Sequence, residues 1–396
     1  MLLRHIKRGI THTTSLAFTE GNCLKIPTFR CIDEEGKPLQ GCEDYVNALS
    51  KETLHEMFKT MIQVREFDTI YYDLQRQGVI SFYMQNSGEE GLQVGSAAAL
   101  HDKDWVFPQY RELGVFLWRG FGIQQASHQL FGNSKDLGEG KQMPVHYGSK
   151  ELHLQTVSSP LSTQMPQASG LGYGLRLREE PLIAVTYFGE GAASEGDAHA
   201  AFNFAATLKS QTLFICRNNK YAISTGLKDQ FAGDGIAVRG VGYGMPALRC
   251  DGNDVFAMYN ATKTARERIL QNKEPVLLES MTYRRGHHST SDDSTKYRKT
   301  EEIQYYLNVD NPIIRLEKFL KNMNWLEFTA EEYSAETRKY VLETKDAAAN
   351  TKWANWRVMF TNVYDEPTAN LEKQQSQLAE HLEIYGDMYD LDLHEE

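Results

Sequence analysis

Between Leu182 and Asn219 the chain runs through an apolar segment, a glycine turn, a stretch of small helix formers and a second apolar segment, an order that few folds accommodate. Leu182-Ile183-Ala184-Val185-Thr186-Tyr187-Phe188 follows Pro181 and is rich in β-branched and aromatic residues, as a buried strand is. Gly189-Glu190-Gly191 breaks it. From Ser194 to Leu208 the residues are mostly small, and Ala198, Phe202, Ala205 and Ala206 recur at helical spacing, which predicts a helix pressed closely on a sheet. Leu213 to Cys216 is a further strand ending at Arg217-Asn218-Asn219. Strand, turn, helix and strand in this order imply a right-handed parallel crossover. The expected fold class is α/β, a mainly parallel sheet with helices on both faces.

Glu190 and Asn219 then stand at the carboxyl ends of two parallel strands, the edge where open α/β sheets bind ligands. A carboxylate, an amide oxygen and the carbonyls of the next loop are hard donors. They are too few to cage calcium and suit magnesium, which keeps positions free for water and phosphate oxygens. The expectation is a metal-bridged diphosphate. A dinucleotide-binding turn is the competing reading, but it needs Gly-x-Gly-x-x-Gly and an acid closing the second strand. Here Ser194 takes the last position of that turn and the second strand closes on Asn218-Asn219. Glu190 would also repel a bare pyrophosphate, whereas a divalent ion reverses the sign of that interaction.

With 396 residues, 41% of them hydrophobic, the chain can bury a large core. Its net charge of −11 argues against nucleic acid or an anionic membrane as the main partner. No apolar run reaches the length of a membrane span. Cys23, Cys31, Cys42, Cys216 and Cys250 form an odd set without a Cys-x-x-Cys pair, which fits neither a disulfide framework nor a zinc site and points to a reducing compartment. Residues 1–21 differ from the rest. Arg4, Lys7 and Arg8 are basic, Thr11, Thr13, Thr14 and Ser15 are hydroxylic, and no acid precedes Glu20. Leu3, Ile6 and Ile10 share a helical face opposite Arg4 and Arg8, so a mitochondrial presequence and a matrix location are expected, the alternative being a retained basic arm.

The remaining segments follow in order. Phe29 to Asp33 followed by Glu34 to Pro38 reads as a strand and turn, a peripheral arm. Ser50 caps a helix with Leu54, Met57, Phe58, Met61, Val64 and Phe67 on one face, ending near Gly78. Gly88 to Leu100 has little bulk and suits a helix packed against another backbone. Trp105-Val106-Phe107 is a strand with Gln109-Tyr110-Arg111 at its end, where a guanidinium is either solvated or bonded twice to a phosphate. His146 is structural or catalytic. The loop Thr156 to Gln164 is rich in hydroxyl, amide and carbonyl oxygens, so it either simply turns or holds a monovalent cation. Asp254 caps a helix that Pro275 follows, and Val276 to Glu279 is a strand. Tyr283 to Arg298 is polar and contains His287-His288, which predicts an exposed or mobile loop. From Asn311 onward the pattern is helical, a C-terminal extension whose last helix, opened by Pro367, aligns Leu371, Leu378 and Leu382. That face meets either a partner or the rest of its own chain. The expected division is 1–21, a domain over 22–320 with its N-terminal arm, and a helical region over 321–396.

Three stretches carry a family resemblance: Gly189 to Asp197, Cys216-Arg217-Asn218-Asn219 with Tyr221 to Thr225, and Gly286-His287-His288-Ser289-Thr290-Ser291-Asp292-Asp293. The chain resembles the α subunits of branched-chain 2-oxo acid dehydrogenases, which have the thiamine diphosphate-binding fold, and the likeness runs from about Phe29 to the C-terminus. The resemblance implies thiamine diphosphate held through magnesium, with Glu190, Asn219 and the Tyr221 carbonyl as metal ligands. It places Tyr110, Arg111, Ser159, Leu161, Gly191, Ala192, Arg217, Ile223 and His288 at the cofactor, with His288 also moving protons. It matches Ser158, Pro160, Thr163 and Gln164 to a potassium site, and Ser289 to a phosphorylated serine controlled by a kinase and a phosphatase. Relatives have a second such serine where this chain has Lys299. The implied partners are a β subunit in an α2β2 assembly, which supplies the glutamate for the cofactor pyrimidine, and a lipoyl-bearing acyltransferase core. Pyruvate dehydrogenase α subunits, the nearest alternative, have a glycine-rich stretch where this chain has Ser158-Ser159-Pro160-Leu161. A nicotinamide oxidoreductase and a scaffold without a working site are the more distant readings.

Overall fold

The expected crossover lies at the centre of the sheet. In the computed structural model, which describes residues 24–396 and positions 14 and 21, the strands are β1 Thr28–Phe29, β2 Trp105–Phe107, β3 Ala184–Gly189, β4 Thr212–Asn218, β5 Tyr221–Ala222, β6 Thr225–Gly226, β7 Ala247–Asp251 and β8 Val276–Met281. Six of them form one parallel sheet in the order β1-β7-β8-β4-β3-β2, and β5 pairs with β6 in a small antiparallel hairpin. β3 and β4 are in register from Ala184–Thr212 to Gly189–Arg217, so their carboxyl ends finish level. The presequence reading and Cys23 lie outside the described residues.

Alternation along the strands fills both faces. Val185, Tyr187, Leu213 and Ile215 enter the larger core, while Phe188, Phe214 and Cys216 pack with Ala198, Phe202 and Ala205 of the helix Gly196–Leu208. Burial on both faces explains why these strands read as continuous apolar runs. The helix Glu90–Ala97 is buried along its whole length. A Cβ on Gly91 would stand 2.8 Å from the Gly252 carbonyl oxygen, and one on Gly95 would stand 2.8 Å from Met258 Cβ. The close packing expected there is real. Ser50 accepts from the Thr53 amide at 3.2 Å and caps the helix Lys51–Arg76.

The strand expected in the N-terminal arm is β1, Thr28–Phe29, an edge strand parallel to β7. Its anchors are polar. The Ile26 amide donates to Asp234 at 2.8 Å and its carbonyl accepts from Arg249 at 2.7 Å. Buried Asp254 accepts from the Cys31 and Ile32 amides at 2.7 and 2.8 Å while capping the helix Val255–Asn272. Such long-range side-chain contacts leave no trace in local periodicity.

The helices after the sheet differ in how they are held. Ala330–Ala349 packs on Lys51–Arg76 and on Ile123–Phe131. The last helix, Ala369–Tyr385, contains no buried residue, and its Leu371, Leu378 and Leu382 are half-buried against short turns. Among the described residues, no helix is long and apolar enough to cross a membrane.

Candidate functional site

Because β3 and β4 end level, Glu190 and Asn219 meet: the Asn219 backbone N–H donates to Glu190 Oε2 at 3.3 Å. Both side chains are buried. Asn219 Nδ2 donates to Glu89 at 2.7 Å, and its Oδ1 accepts from the Tyr221 amide at 3.2 Å, folding the loop after β4 back over the strand end. Lys220 takes the left-handed backbone at φ +75° that this reversal requires. Asn218 is structural instead, donating to Glu279 at 2.7 Å. The turn after β3 lies close against the same loop. A Cβ on Gly191 would come within 2.5 Å of Ala222 Cβ, so glycine is required there by contact.

Burial raises the Glu190 carboxyl to about 7, opposed by amide hydrogen bonds and reinforced by the charge of Glu89. Among the described residues, no group of three or more His, Cys, Asp or Glu side chains is placed to hold a metal. The Glu190 site offers one carboxylate beside neutral oxygens, a donor set for a cation that brings its own phosphate and water ligands.

Arginines surround this edge. Tyr110 lies between two guanidiniums, Arg111 at 5.3 Å and Arg217 at 5.6 Å from the ring centroid. Arg217 is buried between Glu89 at 2.9 Å and Glu112 at 2.6 Å, yet its Nη2 has no partner. An orphaned guanidinium nitrogen at the strand edge fits an anion such as a diphosphate. Arg111 bonds the Gln85 and His288 carbonyls. Arg284 donates to the carbonyls of Tyr221 at 3.2 Å and Ile223 at 2.7 Å, and lies 3.3 Å from His288 Nδ1. Burial, then Arg111 and Arg284, push the His288 imidazole down to about 3, so it is neutral at physiological pH.

The segment Tyr283 to Arg298, expected exposed or mobile, is exposed only in part: Ser291, Asp293, Thr295 and Lys296 face solvent, while Tyr283, Arg284, Arg285, Thr290, Ser294 and Arg298 are buried. Its polar groups bond both within the segment and to neighbouring ones. Asp292 accepts from the His288 amide at 2.7 Å and from the Tyr297 hydroxyl. Arg298 bonds the carbonyls of Arg284, Arg285 and Gly286, and Arg76 bonds that of Thr290 at 3.0 Å. Buried arginines paired with backbone carbonyls resemble a surface loop in sequence. Ser289 is half-buried within this fold.

The oxygen-rich loop abuts the glycine turn through Ser162, whose hydroxyl donates to the Ala192 carbonyl at 2.6 Å. Thr163 Oγ1 lies 2.9 Å from the Pro160 carbonyl oxygen and 3.4 Å from Ser158 Oγ, and Gln164 donates to Tyr187 O at 2.9 Å. His146 Nε2 lies 2.6 Å from Ser159 Oγ and Nδ1 3.1 Å from Pro144 O, contacts that position Ser159. Leu161 and Ile223 are 40% and 55% exposed, apolar surfaces flanking the polar edge. Sequence reasoning missed Glu89, Glu112, Ser162 and Arg284. Arg284 stood in the segment read as a surface loop, and Glu89 in one read as packing alone.

A sequence model of the family described as "Dehydrogenase E1 component" matches residues 58–356, which take in β2 to β8 and every residue of this edge. The "2-oxoisovalerate dehydrogenase subunit alpha, mitochondrial" of Homo sapiens is 49% identical over 379 residues, covering 95% of this chain and 85% of that protein. The protein of the same description from Dictyostelium discoideum is 50% identical over 368 residues, with coverage of 92% and 83%. That of Caenorhabditis elegans is 49% identical over 389 residues, with coverage of 98% and 89%. Likeness at this level, continuous through the strand edge where Glu190 meets Asn219, means that the chain belongs to the dehydrogenase E1 component family.

Proposed function

We propose that this protein is the α subunit of a mitochondrial branched-chain 2-oxo acid dehydrogenase. It acts with a β subunit in an α2β2 assembly, in the matrix, and its acyl product passes to lipoyl groups on an acyltransferase core. The named relatives, each a 2-oxoisovalerate dehydrogenase subunit alpha, support branched-chain substrates over pyruvate. The observation that carries the reading is the 3.3 Å contact that joins Glu190 to Asn219 at one strand edge.

Thiamine diphosphate, the cofactor of this family, supplies the carbanion-stabilising centre for decarboxylation when bound. On this reading Glu190, Asn219 and the Tyr221 carbonyl hold magnesium. Tyr110, Arg111 and Arg217 bind the diphosphate, with the Gly191-Ala192 backbone and Ser159 completing its cradle. Leu161 and Ile223 pack on the aminopyrimidine and exclude water from it. His288, neutral and held by Asp292, accepts or returns a proton at its ring nitrogen. Ser158, Pro160, Thr163 and Gln164 hold potassium, fixing the loop that carries Ser159 and Leu161. Residues 22–320 form the dehydrogenase domain, 321–396 a helical region and 1–21 a presequence.

Co-expression with a β subunit tests the function directly. The reconstituted pair should decarboxylate 3-methyl-2-oxobutanoate at least tenfold more efficiently than pyruvate, roughly what extra methyl groups in an apolar pocket contribute, and the α chain alone should be inactive. A preference for pyruvate would reassign the substrate. Nicotinamide binding without magnesium would reassign the chemistry.

A further inference from the structure

The helix Thr300–Asn308 has no buried residue, and Tyr305 and Leu307 on it are 43% and 42% exposed. It therefore gains little from apolar packing. What it does touch is the loop after β4. Tyr221 donates its phenolic hydrogen to Glu302 Oε2 at 3.0 Å. Lys220 Nζ bonds the Tyr306 hydroxyl and lies 4.6 Å from the centroid of that ring. Tyr306 in turn stacks on buried Tyr283, with centroids 4.1 Å apart and planes 9° from parallel, and Tyr221 meets the same Tyr283 edge-on at 6.2 Å. Two consecutive residues directly after Asn219 are thus fastened to one short helix by a carboxylate and a phenol.

We propose that Glu302 and Tyr306 are positioning residues for the metal loop, setting the direction in which the Tyr221 carbonyl points. This rests on the reading of Glu190, Asn219 and Tyr221 as magnesium ligands. The geometry gives the reason for a second support. Lys220 sits in a left-handed conformation, and the Tyr221 carbonyl accepts from Arg284 at 3.2 Å. Asn219 Oδ1 on the Tyr221 N–H, Arg284 on its carbonyl and the pairing of β5 with β6 hold the backbone, and Glu302 and Tyr306 add a hold on the side chains of Tyr221 and Lys220. The helix also follows the Ser289 loop directly in the chain, so it joins that loop to the cofactor edge by a route separate from Arg284.

The test uses the α/β pair bearing Glu302→Ala, Glu302→Gln, Tyr306→Phe or Glu190→Ala, with magnesium and thiamine diphosphate titrated separately. Glu302→Ala should raise the KM for magnesium about tenfold, the loss of one charge-assisted hydrogen bond, while kcat at saturating metal stays close to that of the unaltered pair. Glu302→Gln keeps an acceptor for the phenol and should recover most of the affinity. Tyr306→Phe should show a smaller loss in the same direction. Without cofactor, the Tm of Glu302→Ala should match the unaltered protein, and the rise in Tm on adding magnesium and cofactor should shrink. Unchanged magnesium KM in Glu302→Ala, or equal falls in kcat and in cofactor-free Tm, overturns the proposal. Glu190→Ala separates the two levels. If it abolishes metal dependence while Glu302→Ala does nothing, only the positioning role fails; if Glu190→Ala itself leaves metal affinity unchanged, the metal site fails.

Discussion

His288 shows how far a neighbourhood can move a side chain from its ordinary behaviour. Beside Arg111 and Arg284 and out of water, its imidazole is pushed down to about 3, against about 6.5 for an unfolded chain. The folded protein then leaves the ring unprotonated where the unfolded chain binds a proton. Stability from this group is intact above about pH 6.5 and declines as pH falls toward 3. Urea unfolding of the chain and of His288→Gln between pH 7 and 4.5 should show a shallower acid-side loss in the variant; parallel curves would place the imidazole in an ordinary environment. The residues proposed as metal ligands were legible in the sequence by their place in the chain: Glu190 in its glycine turn and Asn219 at the end of the next strand. Glu89 and Glu112, which clamp Arg217 at 2.9 and 2.6 Å, were not, because they arrive from two other segments and nothing local marks a carboxylate that will be buried beside an arginine.

Among the elements, the crossover from β3 to β4 and the capped helices Lys51–Arg76 and Val255–Asn272 follow the sequence closely, since strand composition and cap residues act over a few positions. The loop from Tyr283 to Arg298 does not. Its hydrogen bonds run within itself through Asp292 and Arg298 and outward to Arg76 and Arg111, and polar residues paired in this way read like solvated ones. The proposed modification of Ser289 acts on this element. A phosphate there adds nearly two negative charges three residues from Asp292, whose carboxylate holds the His288 amide at 2.7 Å. Repulsion should release that amide and free the loop. Stoichiometric phosphorylation at Ser289 is expected to abolish overall activity and to open sites between Tyr283 and Lys299 to limited proteolysis. Full activity with an unchanged digestion pattern would remove the switch.

At the scale of the molecule, parallel topology could be inferred from one crossover, but strand order could not. The sheet places β1 at its edge although it comes first in the chain, and the decision is made by Asp254 and β7, more than two hundred residues away. That attachment has measurable weight. A chain beginning at Ile32 should be about 2–4 kcal/mol less stable in urea than one beginning at Leu24, since it forfeits several hydrogen bonds worth about 1 kcal/mol each; equal midpoints would mean that β1 is dispensable. The Ile26 amide and carbonyl, bonded to Asp234 and Arg249, mark where this attachment begins. Removal of the proposed presequence would spare this attachment only with a cut upstream of Ile26, and a deeper cut would leave a protein whose first strand had been lost and whose sheet margin was bare.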